Sequence, residues 1–291
     1  MRTRTPIVIG VVSYTVLLLV LAYSAGTSPP DQAEQLLAQA RHSIGMGLKA
    51  NTVKSLVITG GFTTVGTARR ALPQSPPPGS KGSGGTLKAQ MVPTDDVGDV
   101  RLSFMLPDRF RQDYTYWNAS GQPMWTRAAR RDGDDVWLEN RVAQAVPEGM
   151  SVSVDPGPAS DATVRRNLRF AHARYLLALL LYTEPSFPIT FRYAGKAEAA
   201  DGRADVLDGE GPDGFAIRLF LDERTHRPLM MTYAAPSTEQ TQQLRMEEYR
   251  ETAGIFFPHL LSRSANGKLR EQLRLEKFVV NGQLDARDFR K

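Results

Sequence analysis

The chain of 291 residues contains no cysteine. Disulfide bonds, thiolate-bound zinc, iron–sulfur clusters and catalysis by a thiol nucleophile are therefore excluded. The lack of cysteine does not identify the compartment, because exported bacterial proteins often lack it as well. Hydrophobic residues make up 41% of the chain and charged residues 23%, a composition typical of a globular protein that buries a core.

Excess charge, histidine and known catalytic motifs are also scarce. The net charge is +5, and Arg2 and Arg4 supply two of these charges, so the remainder does not indicate a nucleic-acid partner. The four histidines lie far apart, and none pairs at a metal-binding spacing. Neither a G-x-S-x-G elbow nor a glycine-rich phosphate loop after a strand is present. The sequence thus predicts no metal, no cofactor and no enzyme.

A long apolar run lies near the N-terminus. The basic residues Arg2 and Arg4 precede the apolar residues 7–21, and small residues follow at 22–26. This order predicts a secretory signal in residues 1–25. The alternative is an uncleaved anchor, because about 20 apolar residues suffice to span a bilayer. In both cases we expect a periplasmic domain, either free or tethered to the inner membrane through this segment.

Residues 31–289 are expected to form one domain. A tract at 68–86 is rich in Pro, Gly and Ser and predicts a flexible surface loop. A first helix is predicted from Asp31, since apolar residues recur at helical spacing at Ala33, Leu36, Leu37, Ala40 and Ile44.

A second helix is predicted from Ser160 or Asp161 to about Tyr182. Its second half, residues 176–181, is apolar on every side, so it must be buried or must cover something apolar. That half either lines a ligand cavity or completes the core. The first half is basic and either touches anionic lipid or forms the wet face of a lid; its arginines are Arg165, Arg166, Arg169 and Arg174.

Alternating apolar and polar residues predict about eleven β-strands in the remaining sequence. Phe215, Ile217 and Leu219 show the pattern clearly, and Asn266-Gly267 is a strong hairpin signal. No β–α–β rhythm is present, which disfavours a parallel sheet. The predicted fold class is α+β: one large antiparallel sheet with one apolar face covered by helices.

The stretch 214–234 resembles the strand–turn–strand of the LolA and LppX-like lipoprotein-carrier superfamily. It contains an L-x-L-D strand end, then a threonine turn, then Pro-Leu. Residues 106–111, 249–251, 257–259 and 274–276 also look like distant members of this group. The resemblance covers 31–289 and implies a sheet curved into a half-barrel, with helices over an apolar cavity on the concave face. In the carriers of this family, an arginine on an early strand holds the lid closed. Residues 56–64, which lie in the first predicted strand here, contain no arginine.

This resemblance implies a carrier of a lipid, an acyl chain or a lipoprotein, with no nucleic-acid partner and an oligomeric state left open. Tryptophans in neighbouring strands either wall an acyl chain or make ordinary cross-strand contacts. The candidates for lining the cavity or lid are Phe104, Trp117, Trp125, Trp137, Leu176, Leu179, Leu180, Phe191 and Phe220. The alternative is a non-catalytic envelope scaffold whose core is filled. A hydrolase is a third hypothesis, for which the sequence shows no assembled nucleophile and base.

Overall fold

A computed structural model describes residues 30–47, 49, 52–72, 90–118, 120–142, 162–181, 184–199, 202–234 and 240–290. The predicted signal or anchor at 1–25 lies outside these residues, as do residues 73–86 of the predicted loop. Within the described ranges, no helix combines the length and apolar character that a membrane span requires.

The described residues form two α-helices, twelve β-strands and two short 3-10 turns. Helix α1 spans Pro30–Ser43 and helix α2 spans Ala162–Leu180. The 3-10 turns lie at Pro212–Gly214 and Ala286–Phe289. The strands are β1 (Ser55–Leu72), β2 (Gln90–Met105), β3 (Arg109–Trp117), β4 (Pro123–Asp132), β5 (Asp135–Val142), β6 (Thr190–Ala199), β7 (Gly202–Glu210), β8 (Ala216–Asp222), β9 (Pro228–Ala234), β10 (Thr241–Thr252), β11 (Ile255–Ala265) and β12 (Lys268–Val280).

All twelve strands belong to one antiparallel sheet, in the order β5-β4-β3-β2-β1-β12-β11-β10-β9-β8-β7-β6. Strands that follow one another in the chain lie side by side, except β5 and β6, and β1 pairs with β12 near the centre. The sheet is open, with β5 and β6 as its edges, and α2 connects these two edge strands in the sequence. The predicted α+β class and half-barrel architecture are confirmed, with twelve strands in place of about eleven.

The apolar side chains of the strands share the inner face of the sheet, because side chains alternate between the two faces. Helix α1 packs against β6, and α2 packs against β4, β5 and β11. One continuous core joins both helices to the strands. The helices therefore cover the inner face, as the alternation predicted.

The hairpin between β1 and β2 extends further than predicted. β1 continues to Leu72, and Ala68 to Leu72 pair with Thr94 to Gln90. The predicted loop at 68–86 is therefore wrong for residues 68–72, which are strand. Backbone hydrogen bonds between β1 and β2 hold this end of the hairpin together. The segment therefore needs no alternating apolar side chains to form strand.

Candidate functional site

A buried cluster of charged and aromatic groups lies where α2 meets β4. Arg131 of β4 is only 1% exposed, and its guanidinium donates to Glu184 Oε2 at 2.5 Å and Oε1 at 2.7 Å. Its Nη1 also lies 2.6 Å from Nδ1 of His172 on α2. Arginine can only donate, so His172 accepts at Nδ1. The cluster thus ties α2, and the segment that follows it, to the sheet.

The environment of His172 keeps its imidazole neutral. Burial lowers the pKa of His172 well below its usual value, and the positive charge of Arg131 lowers it further. The ring stacks on Phe110 with centroids 5.1 Å apart. A neutral ring with Nδ1 as acceptor fits the hydrogen bond from Arg131.

The leucine-rich end of α2 lies in a filled core. Leu176, Leu179 and Leu180 are each 1% exposed, and Phe104 beneath the helix is fully buried. The Nε of Arg41 on α1 donates to the carbonyl of Leu181 at 2.9 Å, which joins the two helices at this end. These four predicted site residues therefore serve as core, and the open space lies elsewhere.

A cavity of about 340 Å³ lies between the first half of α2 and the inner face of the sheet. Strands on both sides of the molecule contribute to its wall, β3 to β5 on one side and β9 to β12 on the other. The lining residues are Gln112, Tyr114, Tyr116, Arg127, Ala129, Leu138, Val164, Asn167, Leu168, Ala171, Arg174, Tyr175, Tyr233, Leu244, Leu261, Arg263, Glu271 and Leu273.

One side of the cavity is a connected polar network. The carboxylate of Glu271 accepts from Nε of Arg263 and from the hydroxyl of Tyr114, each at 3.2 Å. Gln112 donates to the hydroxyls of Tyr114 at 2.6 Å and Tyr175 at 3.3 Å. Burial raises the pKa of both tyrosines, and the charge of Glu271 raises each further. Both phenols therefore stay protonated and can donate.

Arg174 differs from Arg263, because the group that its guanidinium contacts is an aromatic ring and not a carboxylate. Its guanidinium lies over the ring of Tyr233, 4.2 Å from the centroid. Burial lowers the pKa of Arg174, as expected when a charged group leaves water. Within the part of the chain that the structure describes, this guanidinium forms no ion pair with a carboxylate.

The remaining wall of the cavity is largely apolar. Side chains from α2, β10, β11 and β12 contribute to it, namely Val164, Leu168, Leu244, Leu261 and Leu273, and those of the strands adjoin Arg263 and Glu271. The cavity is therefore amphipathic, whereas the family resemblance implied an apolar one. Its chemistry suits a molecule with a polar head and an apolar body.

Comparison of the sequence with protein-family models and with curated proteins finds no match. The structure, in contrast, is similar to a LolA superfamily protein from Nitrosomonas europaea. The TM-score is 0.50 at 13% identity, over 89% of this chain and 97% of the other. The fold is LolA-like. An outer membrane lipoprotein-sorting protein domain from Vibrio parahaemolyticus aligns over 90% of this chain and 97% of its own, with a TM-score of 0.48 and 11% identity.

The LolA-like sheet distributes the remaining predicted site residues over two faces. Trp125 lies on the inner face and stacks on Tyr116 at 3.7 Å, beside the cavity. Phe191 is half-buried and packs against the main core. Trp117 and Trp137 lie on the outer face, and Phe220 belongs to a small separate cluster there. The three tryptophans therefore do not form one wall.

Apart from Arg174, the charged residues of the cavity were missed because each resembles an ordinary solvent-facing side chain. A signal was nevertheless present, since Arg263 and Glu271 share the strand parity of the core residues Leu261 and Leu273. A charged residue on the apolar parity of a strand indicates a buried pair or a site. Arg131 of β4 carries the same signal. It holds α2 against the sheet from β4, whereas the family resemblance placed the arginine that ties the lid on an early strand.

A second space in the LolA-like fold is a trough of about 590 Å³ on the outer face. Several of its charged side chains pair with one another, including Arg111 with Asp113 at 2.7 Å and Arg130 with Glu139 at 2.9 Å. Among the described residues, no group of His, Asp and Glu is arranged to hold a metal ion. The inner cavity is thus the better candidate for a site, because it combines enclosure with an unneutralised cation.

Proposed function

We propose that this chain is a non-catalytic binding protein of the cell envelope that holds an amphipathic ligand between its sheet and α2. The ligand class is a lipid, an acyl chain or the acylated end of a lipoprotein. The observation that carries this proposal is the cavity of about 340 Å³, placed under a helix on the inner face of a LolA-like sheet.

The size of the cavity limits what it holds. Ligand pockets usually measure about 300–1,000 Å³, so this one is near the lower end. A single acyl chain, or part of one, suits this volume better than a whole lipid with two chains. Burial of about 200 Å² of apolar ligand surface would contribute roughly 5 kcal/mol, which permits retention without any catalytic group.

The place of action follows from the predicted segment at 1–25. If that segment is a cleaved signal, the domain moves freely in the periplasm. If it remains as an anchor, the domain takes up or passes on its ligand from one membrane only. N-terminal sequencing of the mature protein distinguishes the two.

A non-catalytic scaffold is the second candidate, and the filled core around the leucine-rich end of α2 favours it. Leu177 and Leu181 are fully buried there, as core side chains are. In this case the smaller cavity would be a packing feature, and partners would bind the outside of the domain.

Filling the cavity tests the proposal. Ala171 lies on the cavity side of α2, so the change Ala171→Trp places an indole inside it. We expect purified, delipidated wild-type protein to bind lauric acid, dodecyl phosphate or monolaurin in calorimetric titrations. We expect Ala171→Trp to lose that binding while its circular dichroism stays unchanged.

The matched control is Ala162→Trp, at an exposed position on the same helix, which should bind like wild type. If well-folded wild-type protein retains none of the three amphiphiles, the proposal fails and the scaffold is favoured. Equal binding by Ala171→Trp and wild type would show that ligand enters somewhere else.

A further inference from the structure

The cavity carries more positive than negative charge. Three arginines and one acid line it: Arg127, Arg174, Arg263 and Glu271. Glu271 is already engaged by Arg263 at 3.2 Å. The charges of Arg174 and of Arg127, which is exposed at the rim, remain without a counterpart on the cavity wall.

Arg174 is a half-buried arginine of this set, and its guanidinium lines the cavity. A guanidinium partly removed from water loses part of its hydration, which hydrogen bonds or an opposite charge can replace. The face of Tyr233 supplies a cation–π contact, which is weaker than a carboxylate at hydrogen-bonding distance. An anion in the cavity would complete the environment of this side chain.

One further polar group suitable for an anionic head lies close by. The hydroxyl of Tyr175 belongs to the same wall and remains protonated, whereas that of Tyr114 already donates to Glu271. A phosphate or carboxylate accepts hydrogen bonds from guanidinium and hydroxyl donors. The leucines that line the rest of the cavity give such an anion no partner, so they require an apolar portion in the same molecule.

From this arrangement we propose that the cavity selects single-chain amphiphiles with an anionic head group, either phosphate or carboxylate. The head contacts Arg174, and the chain lies along Leu168, Leu244 and Leu261. This inference rests on the proposed function and adds the charge of the ligand to it. Neutral amphiphiles of the same chain length fill the apolar side only and therefore bind more weakly.

A head-group series on the wild-type protein tests the selectivity without any mutation. Dodecyl phosphate and lauric acid provide the anions, monolaurin provides the neutral head, and all three have the same number of chain carbons. We expect the anions to bind about tenfold more tightly, the ratio that one charge-assisted hydrogen bond supplies. Added salt should weaken the binding of the anions and leave that of monolaurin unchanged.

Two further ligands identify the source of the anion. Inorganic phosphate alone should bind far more weakly than dodecyl phosphate, because it buries no apolar surface. Lysophosphatidylglycerol should bind like dodecyl phosphate if the natural ligand is a lipid with an anionic head. Inorganic phosphate binding as tightly as dodecyl phosphate would overturn the inference and indicate a simple anion site.

The variant Arg174→Gln assigns the selectivity to one side chain. We expect it to bind the anions about tenfold more weakly and monolaurin as before, and we expect Arg174→Lys to recover part of the preference. The matched control is Arg192→Gln, since Arg192 is exposed on β6 and pairs with Glu210 at the surface. Unchanged anion affinity in Arg174→Gln would overturn the assignment.

The two proposals fail in different ways. If no amphiphile binds to folded wild-type protein, the proposed function fails, and the inference with it. If monolaurin binds as tightly as the anions, the binding function stands and the charge selectivity alone is wrong. The wild-type series gives this answer even if Arg174→Gln does not fold.

Discussion

Arg131 shows how a single residue decides the position of α2. It is 1% exposed, yet it reaches both oxygens of Glu184 and the Nδ1 of His172. A buried ion pair contributes little net stability compared with an apolar replacement, whereas breaking one side of it costs about 3–5 kcal/mol. The cluster therefore acts mainly by holding helix and sheet in one relative position.

His172 makes this tie sensitive to acid. In the folded protein burial lowers the pKa of His172 well below 6.5, while in the unfolded chain the histidine titrates near 6.5. Between those values the unfolded state binds more protons, so this residue lowers stability as pH falls below 6.5. We expect the titration of His172 to lower the free energy of unfolding by up to about 1.4 kcal/mol for each pH unit below 6.5. Urea denaturation at several pH values between 7 and 5 measures this decline.

The variant His172→Asn isolates this contribution. Its amide oxygen can accept from Arg131 in place of Nδ1, but the side chain does not titrate. The variant should be less stable than wild type at pH 7, because it loses the stacking on Phe110, and its stability should change less as the pH is lowered. Parallel pH profiles for the two proteins would show that His172 is not responsible.

At the scale of elements, the sequence predicted most of the strands and both helices. The predicted end of the second helix near Tyr182 compares with Leu180 in the structure. The extension of β1 to Leu72 could not be predicted, because backbone pairing outside the core leaves no periodic apolar pattern. A composition rich in Pro, Gly and Ser is typical of loops, and the tract at 68–86 was predicted as one for that reason. Its first five residues nevertheless belong to β1 and pair with β2.

The site was less predictable than the fold, for a related reason. Leu176, Leu179 and Leu180 were candidates because they are apolar, and apolar side chains on a helix look the same in a core and in a cavity. Whether a gap remains beside them depends on how all the elements pack. Arg174 was a candidate only as one of four arginines of the helix, and which of the four lines the cavity depends on the turn of α2 that faces the sheet.

Two adjacent glycines of β1 differ sharply in their surroundings. A Cβ at Gly60 would lie 2.0 Å from the carbonyl oxygen of Arg274 on β12, whereas one at Gly61 would lie 3.6 Å from its nearest neighbour. The register of β1 against β12 also shifts between Thr59 and Gly60. Gly60 therefore permits a close backbone approach at the centre of the sheet, where its two halves join.

We expect Gly60→Ala to lower the free energy of unfolding by about 1–3 kcal/mol or more, because strand backbone must move to admit the methyl group. Gly61→Ala is the matched control and should stay within about 1 kcal/mol of wild type. Urea denaturation of both variants provides the measurement. Equal midpoints for Gly60→Ala and Gly61→Ala would show that β12 is free to move away from β1.

At the scale of the whole molecule, the cavity lies between two parts of one open sheet. Its wall includes Tyr114 and Leu138 from the β3–β5 side and Tyr233 and Leu261 from the β9–β12 side, with α2 between them. A ligand that touches both sides adds contacts between parts of the sheet that are otherwise joined through β1, β2 and α2. Binding should therefore stabilise the molecule as one unit.

The distribution of tryptophan allows this cooperativity to be measured. All three tryptophans lie in β3, β4 and β5, so their fluorescence follows one side of the sheet, while far-ultraviolet circular dichroism follows all twelve strands. Dodecyl phosphate at about one hundred times its Kd should add about 2.7 kcal/mol and raise Tm by roughly 5–10 °C. We expect the two signals to give the same Tm with and without ligand, and Ala171→Trp to show no shift by circular dichroism. A ligand-induced shift in fluorescence without one in circular dichroism would mean that the ligand contacts only the β3–β5 side, because a ligand bridging the cavity must delay the unfolding of both.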